Sequence, residues 1–504
     1  MAGTALAIIL LFLLLATLVY LPPVQNMLKN FATSYLSKET GLKVSIDKVR
    51  LSFPLDLLVE DMSAVEGGDT LVAARQLLLD IKLMPLFKSE VELNGFELRD
   101  AKFNSKSYIS DTHIEGRFNL LAIDNPATCD LATNKIDVNK IRFKNADISI
   151  VLSDTAAQDT TKSAPSPWVI NINKALLQNT HLYLQTPGDS MHVSADIQKL
   201  SLSNALVNLK KQIYKVGDID FVGQNIAYDL PYMAKAKSVK RNTRPLDFNH
   251  LYFDTLCLSA KNFSFANQAI DLDLSGLGFV EKSGLTINKL STTLHYDSTR
   301  VNISNTSLIT PASKLNAEVN LPFSAIKQQA HGNMTAKIKG SIGKRDINIL
   351  TNYSLNSILA KYPDKPVNID LRADGSLTNL TIDYCNINLP NSIDLRLNGN
   401  AQQLMSDKWR HGKLHYSTSL KNVAFVNNLI PRDLRNTIHI PDNLRIGGDI
   451  SFKGGTYKLT RNTIYHGKGS LSFSGTFSAN NMAYAGRIEA RQFPLHSFLP
   501  SMSV

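Results

Sequence analysis

Residues 2–21 read AGTALAIILLFLLLATLVYL, and this stretch decides how the rest of the chain is interpreted. It has about twenty residues with neither a charge nor a proline. A helix rises about 1.5 Å per residue, so this one would be about 30 Å long, close to the thickness of a bilayer's hydrocarbon core. The sequence therefore predicts a transmembrane anchor over residues 1–22, ended by Pro22-Pro23.

A cleaved signal peptide is the alternative interpretation of this stretch. The apolar run is longer than the usual core of about 7–15 residues, and no A-x-A-like cleavage site follows it. The first basic residue is Lys29, so the distribution of positive charge gives no support for a cytoplasmic N-terminus. We favour a retained, single-pass anchor.

The next segment, VQNMLKNFATSYLSKETG, has the spacing of an amphipathic helix. We predict a collar helix over residues 23–41, closed by Gly41. It would lie across the end of the following sheet or in the membrane interface. Its apolar residues are Val24, Met27, Leu28, Phe31 and Tyr35.

After Gly41 the apolar period changes from that of a helix to that of a strand. Alternating runs recur with one extra residue between them, as in Ile136-x-Val138-x-x-Ile141-x-Phe143. The extra residue resets the apolar face, so it must be a bulge or a tight turn. Similarity at a spacing of roughly 35–47 residues indicates a repeat architecture, and we interpret the runs as successive hairpins.

The predicted fold class is therefore mostly β. One long, antiparallel, repeating sheet would occupy residues 42–504, preceded by one transmembrane helix and a short amphipathic helix. The residues predicted to line its apolar face are Val44, Ile46, Val91, Leu93, Phe96, Leu98, Ile136, Val138, Ile141, Phe143, Ile170 and Ile172.

Composition excludes several other classes of protein. The chain is 43% hydrophobic and 19% charged, which is typical of a globular protein, and its net charge is +11. The basic residues are scattered along the strands, so nucleic acid is not a predicted partner. The densest basic run, within residues 231–250, is either a solvated loop or a contact for lipid head groups. The three cysteines lack the spacing of a disulfide framework or a zinc site.

A search for catalytic motifs gives nothing that supports an enzyme. The chain has no G-x-S-x-G, H-E-x-x-H or Walker A sequence. His411 and His415 would share a strand face but lie about 13 Å apart, too far to share a metal ion. No cofactor and no metal site is predicted.

An apolar sheet face of this length must be covered, and the sequence offers too few helices to cover it. Either the sheet curls into a filled core, or it forms an open trough that holds a ligand. The predicted anchor makes lipid acyl chains the natural ligand.

Three segments carry a resemblance to a known family. They are YLSKETGLKVSIDKVRLSFPLDLLVEDM (35–62), GGDTLVAARQLLLDIKLMPL (67–86) and VELNGFEL (91–98). Together with the order of anchor, collar helix and strands, they resemble the start of the AsmA-like/TamB superfamily, in particular its Bacteroidetes-type members. The resemblance covers essentially the whole chain. The β-groove of this superfamily is similar to that of the bridge-like, chorein-type lipid transfer proteins.

The resemblance implies a taco-shaped β-groove that is anchored in the inner (cytoplasmic) membrane. The bulk of the chain would lie in the periplasm of a Gram-negative bacterium and conduct phospholipid between the two membranes. A C-terminal region would meet a TamA-type, Omp85-class outer-membrane barrel. This chain departs from the family in having no basic residue before the anchor and no recognisable terminal domain, so we expect an N-terminal fragment.

Two other functions stay open on the sequence. A scaffold for outer-membrane protein assembly would use sheet edges rather than the trough. An extracellular β-solenoid adhesin would be filled inside. Copurified lipid would separate the conduit from both.

Overall fold

The structure is a computed structural model. It describes residues 21–52, 56–82, 85, 90–105, 112–152, 166–186, 191–230, 246–326, 332–428, 430–431 and 433–500. The predicted anchor falls almost wholly outside these residues, as does most of the basic run within 231–250. None of the helices in the described part of the chain combines the length and apolarity needed to cross a bilayer.

Strands dominate the described residues, as predicted, and 23 of them belong to one sheet. The chain divides into two compact units, which are described separately below. The first comprises Met1–Arg241, Asp247–Asn267 and Gly278–Lys282, and the second Asn242–Leu246, Gln268–Leu277 and Ser283–Val504.

In the described residues the first unit contains helix α1 and strands β1 to β10, with β11 (Ala269–Glu281) divided between the two units. Each strand from β1 to β9 pairs with the next in the chain. Its elements are α1 (Pro22–Thr40), β1 (Lys43–Ser52), β2 (Asp56–Glu66), β3 (Asp69–Ile81), β4 (Glu90–Asn104), β5 (Thr112–Asp130), β6 (Lys135–Leu152), β7 (Val169–Thr186), β8 (Met191–Asn208), β9 (Ile213–Asp229) and β10 (His250–Ala266).

The described residues of the second unit form mostly shorter strands and three short helices. From β12 onward each strand pairs antiparallel with its successor. Its elements are β12 (Thr286–Tyr296), β13 (Arg300–Ile309), β14 (Lys314–Pro322), a 3-10 turn (Phe323–Ile326), β15 (Met334–Ile342), α2 (Lys344–Leu350), α3 (Asn356–Leu359), β16 (Val367–Gly375), β17 (Asn379–Leu389), β18 (Ile393–Gln402), β19 (His411–Leu420), α4 (Ala424–Asn427), β20 (Leu444–Lys453), β21 (Thr456–His466), β22 (Gly469–Ser478), β23 (Tyr484–Arg491) and a 3-10 turn (Leu495–Ser497).

The helix predicted over residues 23–41 is present as α1. It begins at two prolines, which fit the first turn because that turn needs no N–H donors, and it ends at Gly41 with a left-handed φ of 70°. Leu28 and Ala32 pack against the apolar residues of β1 and β2. The N–H of Val44 donates to Ser37 Oγ at 3.1 Å, so α1 also covers the outer edge of β1.

The phase slips in the sequence are bulges, and the hairpin interpretation of the runs is wrong. Residues 135–152 form one strand, and Asn145 within it has a φ of 53°. Lys144 and Ala146 pair with Gln178 and Thr180 of β7, while Asn145 and Asn179 fall between the paired positions. Asparagine accepts a left-handed backbone more readily than most residues, so it can occupy a bulge within a strand.

One pair of strands departs from the predicted antiparallel order. β6 and β7 are parallel, and every pair between them is offset by 34 residues, as in Ile136 with Ile170 and Val138 with Ile172. The sequence repeat that we assigned to consecutive hairpins is therefore two neighbouring strands running in the same direction. An alternating pattern does not distinguish the two arrangements, because side chains alternate between faces in both.

Candidate functional site

A row of large apolar residues crosses seven strands of the first unit. Residues that pair directly on neighbouring strands share a face of the sheet. The row therefore occupies one face from β4 to β10. It consists of Leu98, Leu121, Phe143, Leu177, Leu200, Phe221 and Leu258.

The predicted lining positions all fall on this face. Leu79 and Ile81 of β3 point to the same side and pair with Phe96 and Leu93, so the bulge between Leu93 and Phe96 keeps both on one face. The same pairing links the other predicted positions into parallel rows. These rows are Phe96–Ile123–Ile141–Ala175, Leu93–Ala127–Val138–Ile172, Val91–Cys129–Ile136–Ile170, Val44–Ala64–Val72–Phe103 and Ile46–Met62–Ala74–Ala101.

Most large side chains on this face are only half-buried. Leu98, Ile141 and Phe143 all retain some exposure, although they lie in the middle of their strands. The fully buried residues near them are mainly small, and Ala74, Ala101 and Ala146 are examples. Phe118 and Ile46 on this face are buried as well, whereas most of its other large apolar side chains stay half-buried in the described part of the chain. The face is thus an apolar floor and not the interior of a closed core.

Aromatic rings make the centre of this floor continuous. The rings of Phe118 and Phe143 lie 5.0 Å apart, and those of Phe103 and Phe118 lie 6.3 Å apart. They pack around the buried cluster of Ala74, Ala101 and Ala146. Both pairs are tilted and lie within the range of centroid distances at which aromatic rings attract each other.

Sequence reasoning missed the members of this face on β5, β8, β9 and β10. Their signal was present: Phe118-x-x-Leu121-x-Ile123 repeats the same slip. Asn125-Pro126 then interrupts the alternation on β5, and Asp124 and Ala127 pair with Lys140 and Val138 around that interruption.

The second unit carries a comparable face of its own. Paired positions from β12 to β22 form one row in which nearly every residue is apolar. The row consists of Leu290, Leu308, Leu315, Gly340, Ile369, Ile387, Leu395, Thr418, Ile446, Ile464 and Leu471.

The opposite face of the first unit is polar, and its charges are largely paired. Arg142 donates to both oxygens of Asp124, with Nη2 to Oδ1 at 2.8 Å. This hydrogen bonding lowers the pKa of Asp124 and raises that of Arg142. A cavity of about 1000 Å³ is lined by charged residues and also by residues of the apolar face such as Ala101 and Phe118. Its charges are paired, Arg75 with Asp100 and Arg117 with Asp147. The paired charges fit a solvated outer surface better than a ligand site.

The two histidines considered as ligands belong to this kind of polar pairing. His415 Nδ1 lies 3.0 Å from Asp449 Oδ1, and His411 Nδ1 lies 2.9 Å from the Trp409 carbonyl oxygen. Hydrogen bonds from Arg461 and then from His415 lower the pKa of Asp449. Each histidine thus has a separate partner.

The predicted stripe of helix α1 is divided between two sides. Leu28 packs on the sheet and Val24 is half-buried. Met27, Phe31 and Tyr35 are 63%, 68% and 54% exposed, and the rings of Phe31 and Tyr35 stack 6.1 Å apart. These three residues lie four apart, so they form one exposed apolar ridge directly after the predicted anchor.

No protein-family model matches the chain, and a comparison with curated proteins finds no similar sequence. The resemblance to the AsmA-like/TamB superfamily therefore rests on the residues quoted for it.

Proposed function

We propose that this chain is a conduit for lipid, in which acyl chains lie against the apolar face and slide along it. The supporting observation is the unbroken row from Leu98 to Leu258, half-buried and crossing seven strands. A soluble domain rarely leaves so long an apolar surface open unless something binds it. The conduit would be a binding protein and not an enzyme.

The energetics of such a face suit movement better than storage. An acyl chain gains about 0.8 kcal/mol for each methylene that it buries. Neighbouring strands lie about 4.8 Å apart, and each adds another Leu, Ile or Phe of similar size. Sites of nearly equal affinity in series hold a lipid out of water without trapping it at one position.

The proposed location is the inner membrane of a Gram-negative bacterium, with the bulk of the chain in the periplasm. The apolar stretch at residues 2–21 supports an anchor, and the exposed ridge of Met27, Phe31 and Tyr35 would lie in the interface beside it. The face would then carry phospholipid between the inner and outer membranes.

The test is the lipid bound to the purified full chain, measured by mass spectrometry. Phe143→Glu places a charge on the apolar face, and Lys144→Glu places the same charge on the neighbouring residue of the polar side. We expect copurified phospholipid with the native chain, much less with Phe143→Glu, and an unchanged amount with Lys144→Glu. A native chain free of lipid, or equal loss in both variants, would contradict the conduit.

A scaffold for outer-membrane protein assembly is the second candidate, and the edge strand β23 favours it. All eight residues of β23 are exposed, and in the described residues its only paired neighbour is β22. Such an edge can accept a strand from another protein, for which a TamA-type outer-membrane barrel is the proposed partner. Gly486→Pro and Arg487→Pro would remove backbone donors from β23. If assembly fails while bound lipid is unchanged, the scaffold is the better explanation.

A further inference from the structure

One end of the second unit carries two long connections that contain the three short helices found in its described residues. Connection 343–366 joins β15 to β16, and connection 421–443 joins β19 to β20. In an antiparallel sheet every second connection lies at the same end, so these two share an end of the unit. We call them together the helical rim, meaning the described residues within 343–366 and 421–443.

The two connections touch each other. The rings of Tyr362 and Phe425 meet edge to face at 5.6 Å. Lys361 Nζ donates to the Asn428 carbonyl oxygen at 3.2 Å. The helical rim is therefore one continuous surface.

The inner side of the helical rim is firmly built. Ile349 and Val423 are among the most completely buried side chains of the protein. The buried carboxylate of Asp346 accepts hydrogen bonds from the hydroxyls of Thr310 and Ser313. These contacts fix which residues face outward.

The outer side of the helical rim is apolar and exposed. Leu350 is 59% exposed although it directly follows buried Ile349, and Tyr353 is 48% exposed. Leu434 and Ile438 continue this surface on the second connection at about 40%. Exposed apolar residues gathered in one place mark a contact surface more often than scattered ones do.

The charges of the helical rim differ from those of the strands. Strand charges commonly form ion pairs, as Lys339 does with Asp370 and Arg372 with Asp383. In contrast, Lys344, Arg345 and Lys361 donate to backbone carbonyl oxygens, which bind the cation but leave its charge uncompensated. Lys365 and Lys421 are exposed and have no ion-pair partner in the described part of the chain.

We propose that the helical rim binds the surface of an anionic lipid bilayer. Apolar side chains flanked by basic ones are the features that place a peripheral surface at the boundary between head groups and acyl chains. The long stems of Lys365 and Lys421 would reach phosphate groups while Leu350 and Leu434 enter the interface. This binding does not depend on the conduit, because it needs only the outer surface of two connections.

The test is capture of one membrane by protein anchored in another. Full-length chain is reconstituted in phosphatidylcholine liposomes, and fluorescent vesicles are added, made of phosphatidylcholine with or without phosphatidylglycerol. We expect capture of the phosphatidylglycerol vesicles only, decreasing as salt is raised because the attraction is electrostatic.

The variants act on charge and apolar contact separately. Lys365→Glu with Lys421→Glu removes no side-chain hydrogen bond or ion pair of the described structure, and it should weaken capture on the order of twentyfold. Its matched control is Lys453→Glu with Lys458→Glu, exposed lysines on β20 and β21 outside the helical rim. Leu434→Asp should also weaken capture, while Met482→Asp, 69% exposed beyond the opposite end of the strands, should not.

Thermal unfolding of each variant confirms that it is folded. Capture that is equal for both vesicle types, or equally reduced by the control pair, would overturn the proposal. So would capture that the Lys365/Lys421 variant leaves unchanged. If that variant instead abolishes binding to an acidic protein and leaves vesicle capture intact, the helical rim is a protein interface and the proposal is wrong.

Discussion

Most strands of the first unit are longer than those of the second, and the described connections of the second unit carry short helices. Strands β5 and β6 have 19 and 18 residues, while those from β12 onward have 8 to 11. The short helices of the second unit lie in two long connections, 343–366 and 421–443.

Burial follows the same division. On the face of the first unit Ala101 and Ala146 are buried together with Phe118 and Ile46, while most of the large apolar side chains are half-buried. In the second unit Ile349, Leu359 and Val423 are buried where the connections fold over the strand ends. Large apolar side chains thus become fully buried under connections, while most of those on the sheet face stay partly exposed, so the two places should respond differently to the same substitution.

The largest effect is expected at Val423 in the second unit. Val423 is 0% exposed, so Val423→Asp buries a charge that has no partner. We expect a loss of about 4 kcal/mol or more in the free energy of unfolding, measured by denaturant titration. Val423→Ala, which removes only methyl groups, should cost much less. A native-like free energy for Val423→Asp would show that the connection is not closed over this residue.

The matching substitution on the sheet face should have a smaller effect. Phe143 is half-buried, so the carboxylate of Phe143→Glu can keep water while the contact with Phe118 is lost. We expect a loss of about 1–3 kcal/mol in the free energy of unfolding, clearly below that of Val423→Asp. If the two losses are equal, the face of the first unit is closed and the comparison fails.

A β-branched substitution at a bulge of the first unit should lower the free energy of unfolding by about 1–2 kcal/mol. Asn145 has a φ of 53°, which a β-branched residue adopts at about that cost. Asn145→Val should therefore lower the free energy of unfolding, and Asn145→Gly should leave it nearly unchanged, since glycine adopts this conformation freely. Urea unfolding of the two variants measures the difference. Equal stability would mean that the bulge shifts without cost.

We expect the stability of the second unit to depend on pH through His295. His295 Nδ1 lies 2.6 Å from Asp271 Oδ1, and its Nε2 lies 3.0 Å from Asp297 Oδ2. Both hydrogen bonds raise the pKa of His295, and the bond to Asp271 has the larger effect. The folded state thus favours the protonated ring. Its contribution is complete below the unfolded pKa of about 6.5 and disappears as pH rises through the higher folded value.

Thermal unfolding across this range measures the contribution. The native chain should lose stability as the pH rises, and His295→Gln should flatten that slope. His439→Gln is the control, because the described structure gives its side chain no carboxylate partner. An unchanged slope in His295→Gln would assign the pH dependence to other groups.

The smallest effect on stability is expected at Phe31 of helix α1. Phe31 is 68% exposed, so Phe31→Asp should leave the free energy of unfolding within about 0.5 kcal/mol of native. The same change should weaken the association of the collar with membrane, measured by quenching with lipids brominated near the head group. Asn30→Asp, on the polar side, is the control. Unfolding of Phe31→Asp would place this residue in a core.

Much of the fold was predictable, because apolar periodicity reports directly which face a residue occupies. The slip between Phe143 and Ala146 predicted a bulge or a turn, and left-handed Asn145 forms a bulge there that keeps the apolar residues on one face. The direction of β7 was not predictable, since alternation is the same in parallel and antiparallel strands.

The division of α1 was equally hidden from sequence. Leu28 and Phe31 have similar hydrophobicity and adjacent places on the helix, and only packing on β1 and β2 separates them. The burial of Val423 also depends on contacts between distant segments, which local pattern does not report. Lining positions could thus be predicted one strand at a time, whereas the burial of side chains by distant segments could not.

The parallel pairing of β6 with β7 has a consequence for the kinetics of folding. An antiparallel pair joined by a short turn can zip outward from residues that are close in sequence, and its first contacts cost little chain entropy. The parallel pair has no such starting point, because every partner is 34 residues away. Contacts between residues that are far apart in sequence form slowly. Strands β1–β6 and β7–β10 should therefore assemble as two local groups, and the seam between them should close last and set the refolding rate of the first unit.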